Sequence, residues 1–159
     1  MIMIRCETGE DVELNSDSLV GAKLAGFNLH RALLSGQDLR FADLSGADLR
    51  SAWLERANLE QANLEGARLP ACNSSGANFV RANLSEAFMR SGIFDGANFT
   101  DADLNNADVG RSRFAGALFD GADMRAVDLA EADLKNSRAN GMTKWPARFD
   151  PEMHGVLVG

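Results

Sequence analysis

Residues 42–64 read ADLSG ADLRS AWLER ANLEQ ANL. Their period is five, where a buried helical stripe repeats every 3.6 residues and a strand face every 2. From Leu19 to Leu134, stepping by five, the chain meets Leu, Phe or Met at 22 of 24 positions, and Ala stands two residues earlier at 17 of them. Five steps of about 100° carry an apolar residue off the buried stripe of a straight helix. In a straight strand an odd period sends successive apolar residues to opposite faces. The chain must therefore turn once per repeat. Within each short extended piece, Ala and the central Leu or Phe share the inner face while the Asp or Asn between them points outward. Read by fives, the register runs from Leu19 to Leu134 with no insertion or deletion, so an unbroken stack is expected, with Cys72 and Ser74 marking its weakest-packed layer.

The pattern A(D/N)LXX over about residues 18–138 resembles that of the pentapeptide-repeat proteins. The resemblance implies an all-β fold in which four pentapeptides make one square coil. The expectation is a right-handed quadrilateral β-helix of about six coils, roughly 29 Å long at the ~4.8 Å spacing of paired strands. Glycines such as Gly36, Gly46, Gly66 and Gly96 recur two residues after the central position, where they relieve the corner.

A solenoid exposes strand edges only at its ends, and both ends need caps. In residues 1–17, Ile2, Ile4 and Cys6 alternate and Thr8-Gly9 reads as a turn, giving a strand-like cap with an acidic exterior. In residues 139–159, Asn140-Gly141 gives a turn, Trp145 and Phe149 supply bulk to plug the last coil, and Asp150-Pro151-Glu152 opens a short helix toward Val156. No linker-like stretch divides the chain, so residues 1–159 read as one domain: N-terminal cap 1–17, coils 18–138 and C-terminal cap 139–159.

The net charge is −7, and residues 1–17 hold five acids against Arg5 alone. A phosphate backbone is bound by a basic face, so direct nucleic-acid binding is not expected. The N-terminus has too short an apolar run for a signal peptide or membrane span, which points to the cytoplasm, with Cys6 and Cys72 as free thiols and no membrane contact. His30 and His154 belong to no metal-spaced cluster, Ser74 has no base beside it, and no phosphate-binding loop is present. The reading is therefore a protein that is not an enzyme and carries no cofactor. The recurring carboxylates, Asp103 with Asp123 and Asp108 with Asp128, read as a polar wall position shared with Asn, not as calcium ligands.

Departures from the pattern carry the functional signal. Sorted by twenties, the outward positions of one wall are Leu33, Trp53, Asn73, Ile93, Arg113 and Asp133, and Phe88 lies outward on the adjacent wall. Leu33, Trp53, Phe88 and Ile93 are the expected contact surface for a protein partner or for a second copy in a homodimer, because aromatic and aliphatic anchors make interface centres. Arg31, Arg50, Arg68, Arg90 and Arg111 form a partial basic stripe on Phe88's wall, balanced by Asp48, Asp108, Asp128 and Glu131. Another wall carries an acidic column of Asp43, Glu65, Glu86, Asp103 and Asp123, with Lys23 and Arg125. The family resemblance supplies an alternative here, since some members resemble B-DNA and bind DNA gyrase, giving fluoroquinolone resistance. This chain departs from those members by its nearly balanced repeat body and its lack of a looped insertion.

Overall fold

A computed structural model describes residues 1–159. The repeats form a right-handed β-helix whose walls are four ladders of parallel one-residue bridges. One ladder runs through Lys23, Asp43, Asn63, Asn83, Asp103, Asp123 and Lys144, and the next through Asn28, Asp48, Arg68, Phe88, Asp108 and Val127. A third joins Leu33, Trp53, Asn73, Ile93, Arg113 and Asp133. The fourth starts at Asp38, Asn58, Asn78, Asn98 and Leu118 and continues to Arg138.

Each repeat uses its backbone groups in the same way. The central N–H donates to the next coil (Leu24 N to Asp43 O, 2.7 Å), and the outward N–H donates to the preceding one (Asp43 N to Ala22 O, 2.9 Å). The Ala N–H closes a turn on the previous central carbonyl, as from Ala22 to Leu19 at 3.1 Å. The third residue of that turn is left-handed at every corner from Gly21 to Gly121. Glycine enters this region freely, yet Arg31, Phe41, Ser51, Ala71 and Arg81 also adopt it at φ of 52–60°.

One backbone donor, the N–H directly after the central residue, has no place in this scheme. The outward Asp or Asn accepts it through Oδ1, two residues back: Ser45 N to Asp43 at 3.2 Å, Val80 N to Asn78 at 3.0 Å, Asn105 N to Asp103 at 2.9 Å. That bond explains the D/N signature. Asn Nδ2 groups also donate along a wall, Asn78 to Asn58 at 3.0 Å and Asn83 to Asn63 at 3.3 Å.

The tube is filled by Leu in its N-terminal part and by Phe together with Leu, Met and Val from residue 79 onward. Phe79 stacks on Phe99 at 4.9 Å, Phe94 on Phe114 at 5.2 Å and Phe99 on Phe119 at 5.5 Å. The column then reaches Trp145, Phe149 and His154 at the C-terminal end. Cys72 and Ser74 are fully buried, with Sγ and Oγ 3.6 Å apart, and burial pushes the Cys72 thiol up to about 12.

The ends are built from strands. At the start β1 (Ile2–Ile4) pairs antiparallel with β2 (Val12–Leu14), and Cys6 bridges Ala32 antiparallel, so the cap lies on the first coil. At the other end β3 (Arg138–Ala139) pairs parallel with β4 (Leu157–Val158). Glu152–His154 is a single 3-10 turn, shorter than the helix toward Val156 that the sequence signals.

The register is not unbroken. Counting by fives places Val127 inside, but Ala126 is buried and Val127 is 47% exposed, because Val127 bridges Asp108 only nineteen residues back. Asp128 turns left-handed at φ 56° and leads into a 3-10 turn at Leu129–Glu131. Asp128 thus leaves the outward position beneath Asp108 and sits at a corner. The repeat also runs beyond Leu134: Ser137 and Ala139 are buried on either side of Arg138, and Lys144 bridges Asp123 after one extra residue.

Candidate interaction surface

Wherever the outward residue is apolar, the Asx bond is lost. The N–H groups of Ser35, Glu55, Arg90 and Asp95, two residues after Leu33, Trp53, Phe88 and Ile93, have no acceptor within the chain. A hydrogen bond of this kind contributes about 0.5–1.5 kcal/mol, so each of the four apolar residues gives up a local bond that its Asn and Asp neighbours keep. After Arg68, which also has no cap to offer, Pro70 removes the N–H altogether.

Leu33 is 47% and Phe88 54% exposed, Trp53 is 39% exposed, and Ile93 is half-buried. Leu33 and Trp53 are ladder neighbours, while Asn73 separates Trp53 from Ile93. Trp53, Ile93, Ala52, Ala71 and Asn73 line a shallow depression of about 380 Å³ with Glu7 and Arg31 at its rim. Leu33 is drawn instead toward the N-terminal cap, where its N–H donates to Arg5 O at 2.7 Å. Phe88 stands on the neighbouring wall between Arg68 and Asp108. The structure therefore joins Trp53 to Ile93 across one depression and leaves Phe88 as a separate protrusion.

Glu7 is a site residue that the sequence pattern did not single out. The alternation of Ile2, Ile4 and Cys6 inward leaves Glu7 outward, which is the signal that was present. The Trp53 indole N–H, and the Arg31 guanidinium 2.9 Å away, hold the Glu7 carboxyl below the usual carboxylate range. Leu118, outward on the fourth wall, and Phe41, exposed at a left-handed corner, are further apolar surface residues outside the expected patch.

The arginine stripe is mostly neutralised. Arg50 pairs bidentately with Asp48 at 2.6–2.9 Å. Arg90 contacts Asp108 at 3.2 Å, Glu131 at 3.3 Å and also Asp128, and Arg111 lies 3.9 Å from Glu131. The Arg90 guanidinium lies flat over Gly110, where a Cβ would come within 2.6 Å of it. Arg68 alone in the stripe has no carboxylate within 4.0 Å.

The acidic column is partly committed to its own backbone. Asp43 accepts from Ser45 Oγ and N and from Asn63, which lowers its pKa. Asp123 is lowered chiefly by its hydrogen bonds from Arg125, at 2.6 and 2.9 Å. Asp103 caps Asn105, and only Glu65 and Glu86 are exposed carboxylates with no such bond. No group of three or more His, Cys, Asp or Glu side chains is placed to hold a metal ion.

Four polar ladders around an apolar axis, with a departure from the outward Asp/Asn rule at specific rows, define a β-solenoid that presents side chains on rigid walls. The pentapeptide-repeat family model matches in eight copies across residues 18–56, 57–96, 77–116 and 97–136, so the chain belongs to the pentapeptide-repeat family. The fold is similar to HetL of the cyanobacterium Nostoc, a pentapeptide-repeat protein involved in the regulation of heterocyst differentiation: 23% identity, TM-score 0.56, covering 85% of this chain and 73% of that one. It is similar also to Rfr23 of the cyanobacterium Cyanothece, at 26% identity and TM-score 0.56, covering 79% of this chain and 88% of that one. QnrB1, a plasmid-mediated fluoroquinolone resistance protein, shares the fold at 16% identity and TM-score 0.52, covering 93% and 86%. No curated protein matches the sequence.

Proposed function

We propose that this chain is a non-enzymatic, cytoplasmic scaffold, one rigid unit of about six coils closed at the C-terminus by a short helical turn, that binds a protein partner or itself through its apolar wall residues. The observation that carries the reading is the loss of the Asx hydrogen bond at Leu33, Trp53, Phe88 and Ile93. Each gives up a local bond that Asn or Asp would keep while leaving apolar surface exposed, and contact with something outside the fold accounts for both. A Trp53→Asn variant tests it. Weakened association with an unchanged or raised melting temperature supports the proposal, whereas a lowered melting temperature with intact association assigns Trp53 to packing.

A second reading is duplex-DNA mimicry toward DNA gyrase, favoured by the acidic column of Asp43, Glu65, Glu86, Asp103 and Asp123. Such a mimic must offer negative charge at nearly phosphate density, since a basic saddle responds to the summed field. Here Asp123 is paired with Arg125 and Asp43 is bonded to Ser45 and Asn63, which leaves the column weak. A gyrase supercoiling assay separates the two: the scaffold reading expects no inhibition at micromolar protein, and salt-sensitive inhibition lost on Asp103→Asn/Asp123→Asn would reverse the order.

A further inference from the structure

We propose that the Phe88 wall is a self-complementary surface on which a second copy of this chain packs antiparallel, with the twofold axis along the strand direction through Phe88. The inference rests on the scaffold reading and specifies its partner. Successive rows of this wall carry Asp48, Arg68, Phe88, Asp108 and Val127 at their outward positions. Above Phe88, Asp48 stands against Arg50 and the unpaired Arg68, leaving one positive charge. Below it, Asp108, Asp128 and Glu131 stand against Arg90 and Arg111, leaving one negative charge.

A twofold of this kind keeps each coil's corner facing its own corner and inverts the rows. Arg68 then meets Asp108 of the second copy, and Arg50 meets the Asp128 and Glu131 corner. The two Phe88 rings, each 54% exposed, meet on the axis. Val127, carried outward by the local shift in register, faces the Asp48–Arg50 pair. A parallel pairing would set Arg68 on Arg68 and Asp108 on Asp108; the antiparallel one sets only the axial row's Arg90 on its own copy, and Arg90 is already neutralised by Asp108, Asp128 and Glu131, so charge favours the antiparallel one. Five rows at ~4.8 Å spacing give a patch about 24 Å tall. A patch of that height is at the small end of specific interfaces, so weak association is expected.

The test is sedimentation equilibrium of the full chain up to about 500 μM, at low and physiological salt. The wild type is expected to dimerise more tightly at low salt. Phe88→Asn, which restores an Asx cap and so protects folding, and Arg68→Glu, at a residue with no ion pair within the chain, should each raise Kd at least tenfold. Phe88→Cys should cross-link to itself with copper phenanthroline, because an axial residue meets its own copy, while Trp53→Cys should not. A wild type monomeric throughout, or a dimer indifferent to both Phe88→Asn and Arg68→Glu, overturns the inference. A dimer weakened by Trp53→Asn but not by Phe88→Asn also overturns it and leaves the scaffold reading standing. A dimer insensitive to all of these changes overturns the inference and removes self-association through the apolar wall from the scaffold reading.

Discussion

Gly92 stands at the inner position that Ala occupies in most repeats, and its φ is not left-handed, so backbone freedom does not explain it. A Cβ at residue 92 would lie 2.5 Å from Cε2 and 3.0 Å from Cζ of Phe94, and 2.9 Å from Met89 O. Carbon atoms pack at about 3.5–4.0 Å, so the ring must retreat by roughly 1 Å. It has nowhere to go, since Phe94 stacks on Phe114 at 5.2 Å and meets Phe99 at 5.8 Å and Phe79 at 6.1 Å edge-on. Gly92→Ala should therefore destabilise by about 1–3 kcal/mol, the usual cost of overpacking. Phe94→Leu alone leaves a void and should cost about 1–2 kcal/mol, less than a full truncation to Ala. Together they recreate the common Ala-x-Leu repeat, and the double variant should be more stable than the sum of the two by about 1–2 kcal/mol. The recovery is partial, because the Met89 carbonyl stays in place. Urea unfolding of the four proteins measures this as a displacement of the midpoint at constant slope, on the order of 1 M for 2 kcal/mol. Additivity within about 0.5 kcal/mol, or a neutral Gly92→Ala, would refute the steric account.

Three further outcomes follow from the same geometry. Trp53→Asn should leave stability within about 1 kcal/mol of the wild type in thermal or urea unfolding, because the new Oδ1 caps the Glu55 N–H while the half-buried indole and its bond to Glu7 are lost. Ala71→Gly should stabilise by about 0.5–1 kcal/mol in the same measurement, since relief of a left-handed Cβ at φ 55° outweighs the added freedom of the unfolded chain. Asp123 has a folded-state pKa below its unfolded value, so its contribution is present above about pH 4 and is lost as pH falls through the folded pKa. Asp123→Asn keeps the backbone cap but not the charge, and should flatten the stability–pH profile in that acid range, as read from melting temperatures between about pH 2 and 5.

The period of five made the coils legible because a single geometric demand, one turn per repeat with two residues inside, is restated at nearly every position. Where the demand is restated imperfectly, counting fails. Val127 stands at the inner position by arithmetic, and nothing in the run Met124-Arg125-Ala126-Val127-Asp128 says that Ala126 takes its place. The shift becomes intelligible through Arg90: its guanidinium gathers Asp108, Asp128 and Glu131, two of which come from the stretch that has slipped. An interaction linking residues 38 and 41 apart is invisible to a five-residue window. The Glu7–Arg31 pair under Trp53 escaped for the same reason.

The surface was legible only in part because the outward Asp and Asn have two readings. As a list of charges, Asp43, Asp103 and Asp123 look like a polyanion displayed for a partner. As acceptors for the N–H two residues on, they belong to the backbone of the tube, and their side chains are already spoken for. An outward Asp or Asn therefore says little about function, because the fold alone requires it. An outward Phe, Trp or Leu says much more, since it abandons a bond that its neighbours keep. By that criterion the informative positions of this solenoid are its uncapped rows, and Phe88 is the most exposed of the four selected there. Replacing it by Asn asks the fold and the function separately: the coil should gain a hydrogen bond in the same substitution that removes a contact.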